Sequence, residues 1–223
     1  MASSLTANLS DVVHALIENG QGEDLINLIR DMEPERQAVV IGLPGAVEIL
    51  GHHGHAAALM RLVEGMPSRS QADALAASDV VKGLADHGQA EGVTKLLATL
   101  PSEGLASVLA APRAVEALAY QGQSVPLMVL IGALPSESQV TILTAPWTVR
   151  GLADSGQAEA VVQLVGNLPP ESRATVLTAP WSISEALIEN GQGEAVQRMK
   201  QECATAEWQV GKSDRTGWPT PLI

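Results

Sequence analysis

Phenylalanine is absent from this 223-residue chain, aromatic residues make up only 2% of it, and a single cysteine, Cys203, stands near the C-terminal end. With so few rings and so little β-branched-aromatic patterning, a β-sandwich core has nothing to build on. One thiol excludes an intramolecular disulfide framework and fits a reducing compartment. Cations are scarce too: 13 Lys and Arg against 25 Asp and Glu leave a formal charge of −12, which works against a general attraction to phosphate or anionic lipid. No apolar run approaches the ~18 residues that cross a bilayer, and the start Met1-Ala-Ser-Ser-Leu-Thr has neither the basic flank nor the apolar stretch of a secretory signal. The expectation is a cytoplasmic protein, or one exported by a signal-less route, with no membrane contact.

What the chain does have is small aliphatic residues, 46% of it being hydrophobic, arranged with a fixed step. Glycine recurs at 20, 54, 88, 122, 156 and 191, each 34 residues after the last except the final step of 35. Val13, Val47, Val81, Val115, Val149 and Ile183 keep that step, as do Leu16, Leu50, Leu84, Leu118, Leu152 and Leu187, and Ile41, Leu75, Leu109, Leu143 and Leu177. Prolines form two further columns: Pro67, Pro101, Pro135 and Pro169, with Pro34 one place out of step, and Pro44, Pro112, Pro146 and Pro180. Self-similarity of this length marks a stacked helical array.

In the unit 146–179, Pro146 suits a first helical position, so a helix A is expected from Pro146 to Asp154, ended by Gly156 in the left-handed conformation. Helix B is expected from about Ala158, with Val161, Val162, Leu164, Val165 and Leu168 on an apolar stripe and Pro169 and Pro170 stopping it. A third helical stretch, Glu171 to Thr178, closes the unit. Helices this short are marginal alone and must be held by neighbouring units. The expected fold is all-α, a right-handed α-solenoid or superhelix of about six 34-residue repeats. Its array spans 10–202, after an N-terminal extension or cap at 1–9 and before a C-terminal cap or flexible tail at 203–223, extended or poorly ordered from Gly211.

A 34-residue helical unit with a proline opening a short first helix, a glycine closing it and a proline-kinked second helix resembles the repeat of transcription-activator-like (TAL) effectors, over roughly residues 10 to 202. The resemblance implies a bacterial origin and DNA reading by the last residue pair of the inter-helix turn. Here those pairs are Asn19-Gly20, His53-Gly54, His87-Gly88, Gln121-Gly122, Ser155-Gly156 and Asn190-Gly191. The family grips the DNA backbone with Lys and Gln at the start of helix B, whereas this chain has Glu23, Asp24, Glu91, Glu159 and Glu194 there. Phosphate would be repelled at those positions, so DNA stands as the alternative partner and a protein, basic in character, as the leading one.

Two columns are candidate partner contacts. Glu18, His52, Asp86, Tyr120, Asp154 and Glu189 precede the polar-Gly pairs, and carboxylates at helix C-termini oppose the backbone dipole, so Asp86, Asp154 and Glu189 read as an acidic edge for a basic partner. Trp147 and Trp181, with Arg113 one unit earlier and Gly45 before that, form a variable column in which amphipathic side chains suit an interface. An acidic superhelix imitating nucleic acid is a further alternative. The histidines of 51–55 fit no metalloenzyme spacing, no metal or cofactor is expected, and neither Cys203 nor any serine has the partners of a nucleophile. The chain reads as a non-enzymatic interaction module.

Overall fold

The computed structural model describes residues 12–13, 15–16, 18–179 and 183–213, with side chains to residue 204. All secondary structure among them is helical. In order, the helices are α1 Gly22–Arg30, α2 Pro34–Ile41, α3 Ala46–His52, α4 Ala56–Gly65, α5 Ser68–Ala76, α6 Val80–Leu84, α7 Ala90–Leu97, α8 Ser102–Leu109, α9 Ala114–Leu118, α10 Ser124–Gly132, α11 Ser136–Thr144, α12 Thr148–Leu152, α13 Ala158–Gly166, α14 Pro170–Thr178, α15 Ile183–Glu189 and α16 Gly193–Ser213. No helix of the described residues is long and apolar enough to cross a membrane.

Helices about 34 residues apart in sequence pack on one another. The A helices α3, α6, α9, α12 and α15 each pack on the next, and so do the C helices α2, α5, α8, α11 and α14. The B helices α1, α4, α7, α10, α13 and α16 touch their counterparts more sparsely. The aliphatic columns are the core: Leu50, Leu84, Leu118, Leu152 and Leu187 are buried, as are Ile41, Leu75, Leu109, Leu143 and Leu177.

Each A helix ends as its sequence requires. Gly54 N bonds Gly51 O at 2.9 Å and His55 N bonds Leu50 O at 2.8 Å, the pair of bonds that closes a helix on a left-handed residue. Gly54 has φ +84°, which an L side chain rarely adopts.

The entry to helix A differs from the expectation. Pro146 is not a first helical residue; it sits second in a four-residue turn, Ala145 to Thr148, closed by Thr148 N to Ala145 O at 3.4 Å, and the helix begins at Thr148. The same turn spans 43–46, 77–80 and 111–114, with bonds of 3.1, 3.3 and 3.2 Å. Proline favours the second place of a type II turn, and the third place needs positive φ.

The other proline column caps helix C: Pro67, Pro101, Pro135 and Pro169 immediately precede its first turn, with ψ of 148 to 150°. From helix C a side chain then reaches back to the exposed carbonyls of helix B. Gln139 Nε2 donates to Gly132 O at 3.2 Å and Leu134 O at 2.8 Å. Gln37 bonds Arg30 O and Met32 O at 3.0 Å, Gln71 bonds Glu64 O at 3.1 Å, and Arg173 bonds Gly166 O and Leu168 O at 2.7 and 3.3 Å. Helix α16 continues past residue 203 to Ser213, so it includes Gly211 to Ser213 at the start of the segment expected to be extended or poorly ordered.

Candidate functional site

The third residue of the inter-unit turn is Gly45, Asp79, Arg113 and Trp147 in succession, with φ of 78, 65, 63 and 70°. Only the first is glycine. Backbone in this region costs an L-residue about 1–2 kcal/mol. The three side chains line one edge beside the A helices. Arg113 donates from Nε to Glu116 Oε2 at 2.9 Å, and its guanidinium carbon lies 6.0 Å from the Trp147 ring centre, within cation–π range. Bonding to Glu116 raises the Arg113 pKa further. Trp147 keeps 44% of its surface exposed. Trp181, the next member of the column, lies outside the described residues.

One helical turn along the same edge, Glu48, Lys82, Glu116 and Arg150 alternate in charge. They meet the acidic column directly. Lys82 Nζ pairs with Asp86 Oδ2 at 2.7 Å, and that bond raises the Lys82 pKa. Arg150 reaches across to Glu189 at 3.1 Å. Asp154 accepts from Tyr120 Oη of the preceding unit at 3.2 Å and from Asn190 Nδ2 of the following one at 3.0 Å. Asp86, Asp154 and Glu189 therefore do share one edge, and each is engaged within the chain. The compensation missed at the sequence level was legible in the alternating column, since a cation one turn before the helix end offsets an acid placed there.

The polar-Gly pairs all form helix ends. A side chain built on Gly20, Gly54, Gly88, Gly122, Gly156 or Gly191 would meet nothing within 4 Å, so the glycines are set by φ and not by a close neighbour. Asn19 and Asn190 turn their amides back to Ala15 O and Ala186 O, at 2.7 and 3.0 Å. The His87 imidazole lies over Gly51 and meets His52 edge-on with ring centres 4.8 Å apart. His53 and Gln121 are exposed, while Ser155 Oγ is buried with no hydrogen-bond partner. The acids expected at the start of helix B are there: Glu23 and Asp24, Glu91, Glu159 and Glu194 all fall in first turns.

No protein family, curated protein or solved structure matches this chain. The site is therefore read from its own chemistry. A groove of about 380 Å³ lies between the second and third units, lined by Glu48, His52, Asp79, Lys82, Asp86 and His87. Among the described residues no group of three His, Cys, Asp or Glu is disposed to hold a metal ion. Cys203 is buried, its Sγ 3.8 Å from Pro170 O. The edge offers a cation beside an indole, alternating charges and a polar groove.

Proposed function

We propose that the chain is a right-handed α-solenoid of about six TAL-like 34-residue units, bacterial in origin, and that it works as a non-enzymatic protein-binding module acting in the cytoplasm or after signal-less export. The contact surface is the turn column, with Arg113 and Trp147 as anchors and Trp181 continuing it. One observation carries the reading: Asp79, Arg113 and Trp147 occupy backbone that favours glycine, at φ 63 to 70°. Strain of this kind persists where a side chain is needed at a particular place, and nothing in the packing of the core calls for these three.

Capture experiments test it. Immobilised protein incubated with bacterial and eukaryotic lysates is expected to retain one dominant partner, and the Trp147→Ala/Trp181→Ala double variant to release it. Retention unchanged in the double variant removes the turn column from the site.

DNA reading is the second proposal, favoured by the regular recurrence of the polar-Gly helix ends and opposed by the first-turn carboxylates of helix B. A mobility-shift titration with thymine-rich duplex separates the two, because DNA binding that is saturable and strengthens as salt falls would displace the protein-binding reading. The nucleic-acid mimic ranks third, since Asp86, Asp154 and Glu189 already have partners in the chain.

A further inference from the structure

The fourth unit departs from the others on its B helix. The place of Val125 holds Glu23, Ala57, Glu91, Glu159 and Glu194 in other units, and that of Val129 holds Asn27, Arg61, Lys95, Gln163 and Arg198. Helix α10, Ser124-Val-Pro-Leu-Met-Val-Leu-Ile-Gly132, is thus apolar on nearly every side, although its outer face stays largely exposed: Val125 is 60% and Val129 68% exposed. An all-round apolar helix belongs inside a protein, and a contiguous exposed apolar patch rimmed by polar groups marks an interaction site. Beside it a cleft of about 670 Å³ runs between α7 and α10, lined by Thr94, Lys95, Ala98, Pro126, Val129 and Leu130. That volume takes several side chains.

The rim selects the occupant. At the cleft Glu91 and Lys95 pair at 2.6 Å and cancel, so the uncompensated charge beside Val125 is that of Glu159, at the start of the next B helix. That pairing holds the Glu91 carboxyl below its ordinary pKa. A second copy of this chain would bring its own −12 charge and the same Glu-flanked face against this one, and an anionic lipid surface meets the same objection. Val125 and Val129, four residues apart on one helical face, offer the row against which an i, i+4 apolar stripe seats.

We propose that the α7–α10 cleft and the Val125/Val129 face form a docking site for a cationic amphipathic helix of a partner protein, its apolar stripe on the valines and its Lys or Arg row towards Glu159, on a chain whose net charge is −12. The site lies on helices other than those of the turn column, so it stands or falls separately from the reading of Arg113 and Trp147.

The test uses the full chain and a short fluorescent Leu/Lys amphipathic helix, with a Leu/Glu helix of the same pattern and a Lys peptide lacking the apolar stripe as controls. Wild type is expected to bind the Leu/Lys helix saturably and both controls much more weakly. The V125E/V129K variant installs residues that neighbouring units carry there and leaves net charge unchanged, so it should keep its circular dichroism and melting point and bind at least ~10-fold more weakly, the scale expected when anchors at an interface centre are lost. The single variant V129K serves if the pair perturbs folding. Trp147→Ala should leave this affinity alone. Equal binding by wild type and V125E/V129K, equal binding of the Leu/Glu helix, or sedimentation showing a wild-type dimer that the variant abolishes would each overturn the proposal, the last by assigning the face to a second copy.

Discussion

Tyr120 Oη donates a 3.2 Å hydrogen bond to Asp154 Oδ2, a residue 34 positions further along the chain, and so ties equivalent helix ends of consecutive units together. Asp154 passes the link on, accepting from Asn190 through its other oxygen. Desolvation and the Asp154 carboxylate both raise the Tyr120 pKa above its ordinary 10.0.

As pH rises past about 10 the unfolded chain ionises this tyrosine first, so its contribution to stability is complete below that pH and declines until the folded residue also ionises. Lys82, raised by Asp86, behaves in the same direction, holding its proton longer in the folded chain. Stability should therefore fall on the alkaline side. Tyr120 is the only tyrosine, so tyrosinate absorbance reports it alone. In Asp154→Asn the titration should shift towards lower pH; an unshifted curve would show that the bond does not persist in solution.

Asp79→Gly should raise stability by about 0.5 kcal/mol, the relief of left-handed backbone exceeding the added freedom of the unfolded chain. Gly45→Arg at the equivalent place should lower it by about 1 kcal/mol. Urea unfolding measures both, and equal effects of the two changes would remove the strain on which the turn column is read.

Glycines of the helices divide sharply. A Cβ on Gly151 would stand 2.6 Å from the Glu116 backbone Cα, so Gly151→Ala should cost about 1–3 kcal/mol because neither A helix can yield. Gly132 and Gly166 face open space, and Ala at either should gain about 0.4–1 kcal/mol. Thermal melts of the three single variants decide it.

Gln139→Leu removes the bonds to Gly132 O at the end of α10 and to Leu134 O just beyond it, and should cost about 0.5–1.5 kcal/mol. The third unit carries Leu105 there already. Hydrogen exchange in the variant should quicken first in α10 and α11, and a uniform change across the chain would contradict a local capping role.

The core was legible because a 34-residue step in Leu, Val and Gly needs only counting, and burial of an aliphatic column follows from periodicity. The helix-A boundary was not. Pro146 is equally at home at a first helical place and second in a turn, and the choice depends on the backbone of Trp147, whose positive φ nothing in a tryptophan announces. Similarly, Asp86, Asp154 and Glu189 read singly are acids in the wrong place. Lys82, one turn before Asp86, could be read within its own unit, whereas the partners Tyr120, Asn190 and Arg150 emerge only when consecutive units are laid side by side. The C-helix glutamines were invisible for another reason: a side chain bonding carbonyls five and seven residues back leaves no composition signature.

The turn at 77–80, 111–114 and 145–148 gives three consecutive units one exposed residue, Asp79, Arg113 or Trp147, whose backbone stays nearly fixed, as it does at Gly45 in the turn at 43–46. Exchanging that residue alters the chemistry at a single rung and leaves the registration of all others untouched. Selection can thus rewrite the molecule's outer edge one rung at a time, at a near-constant conformational toll wherever the newcomer is not glycine.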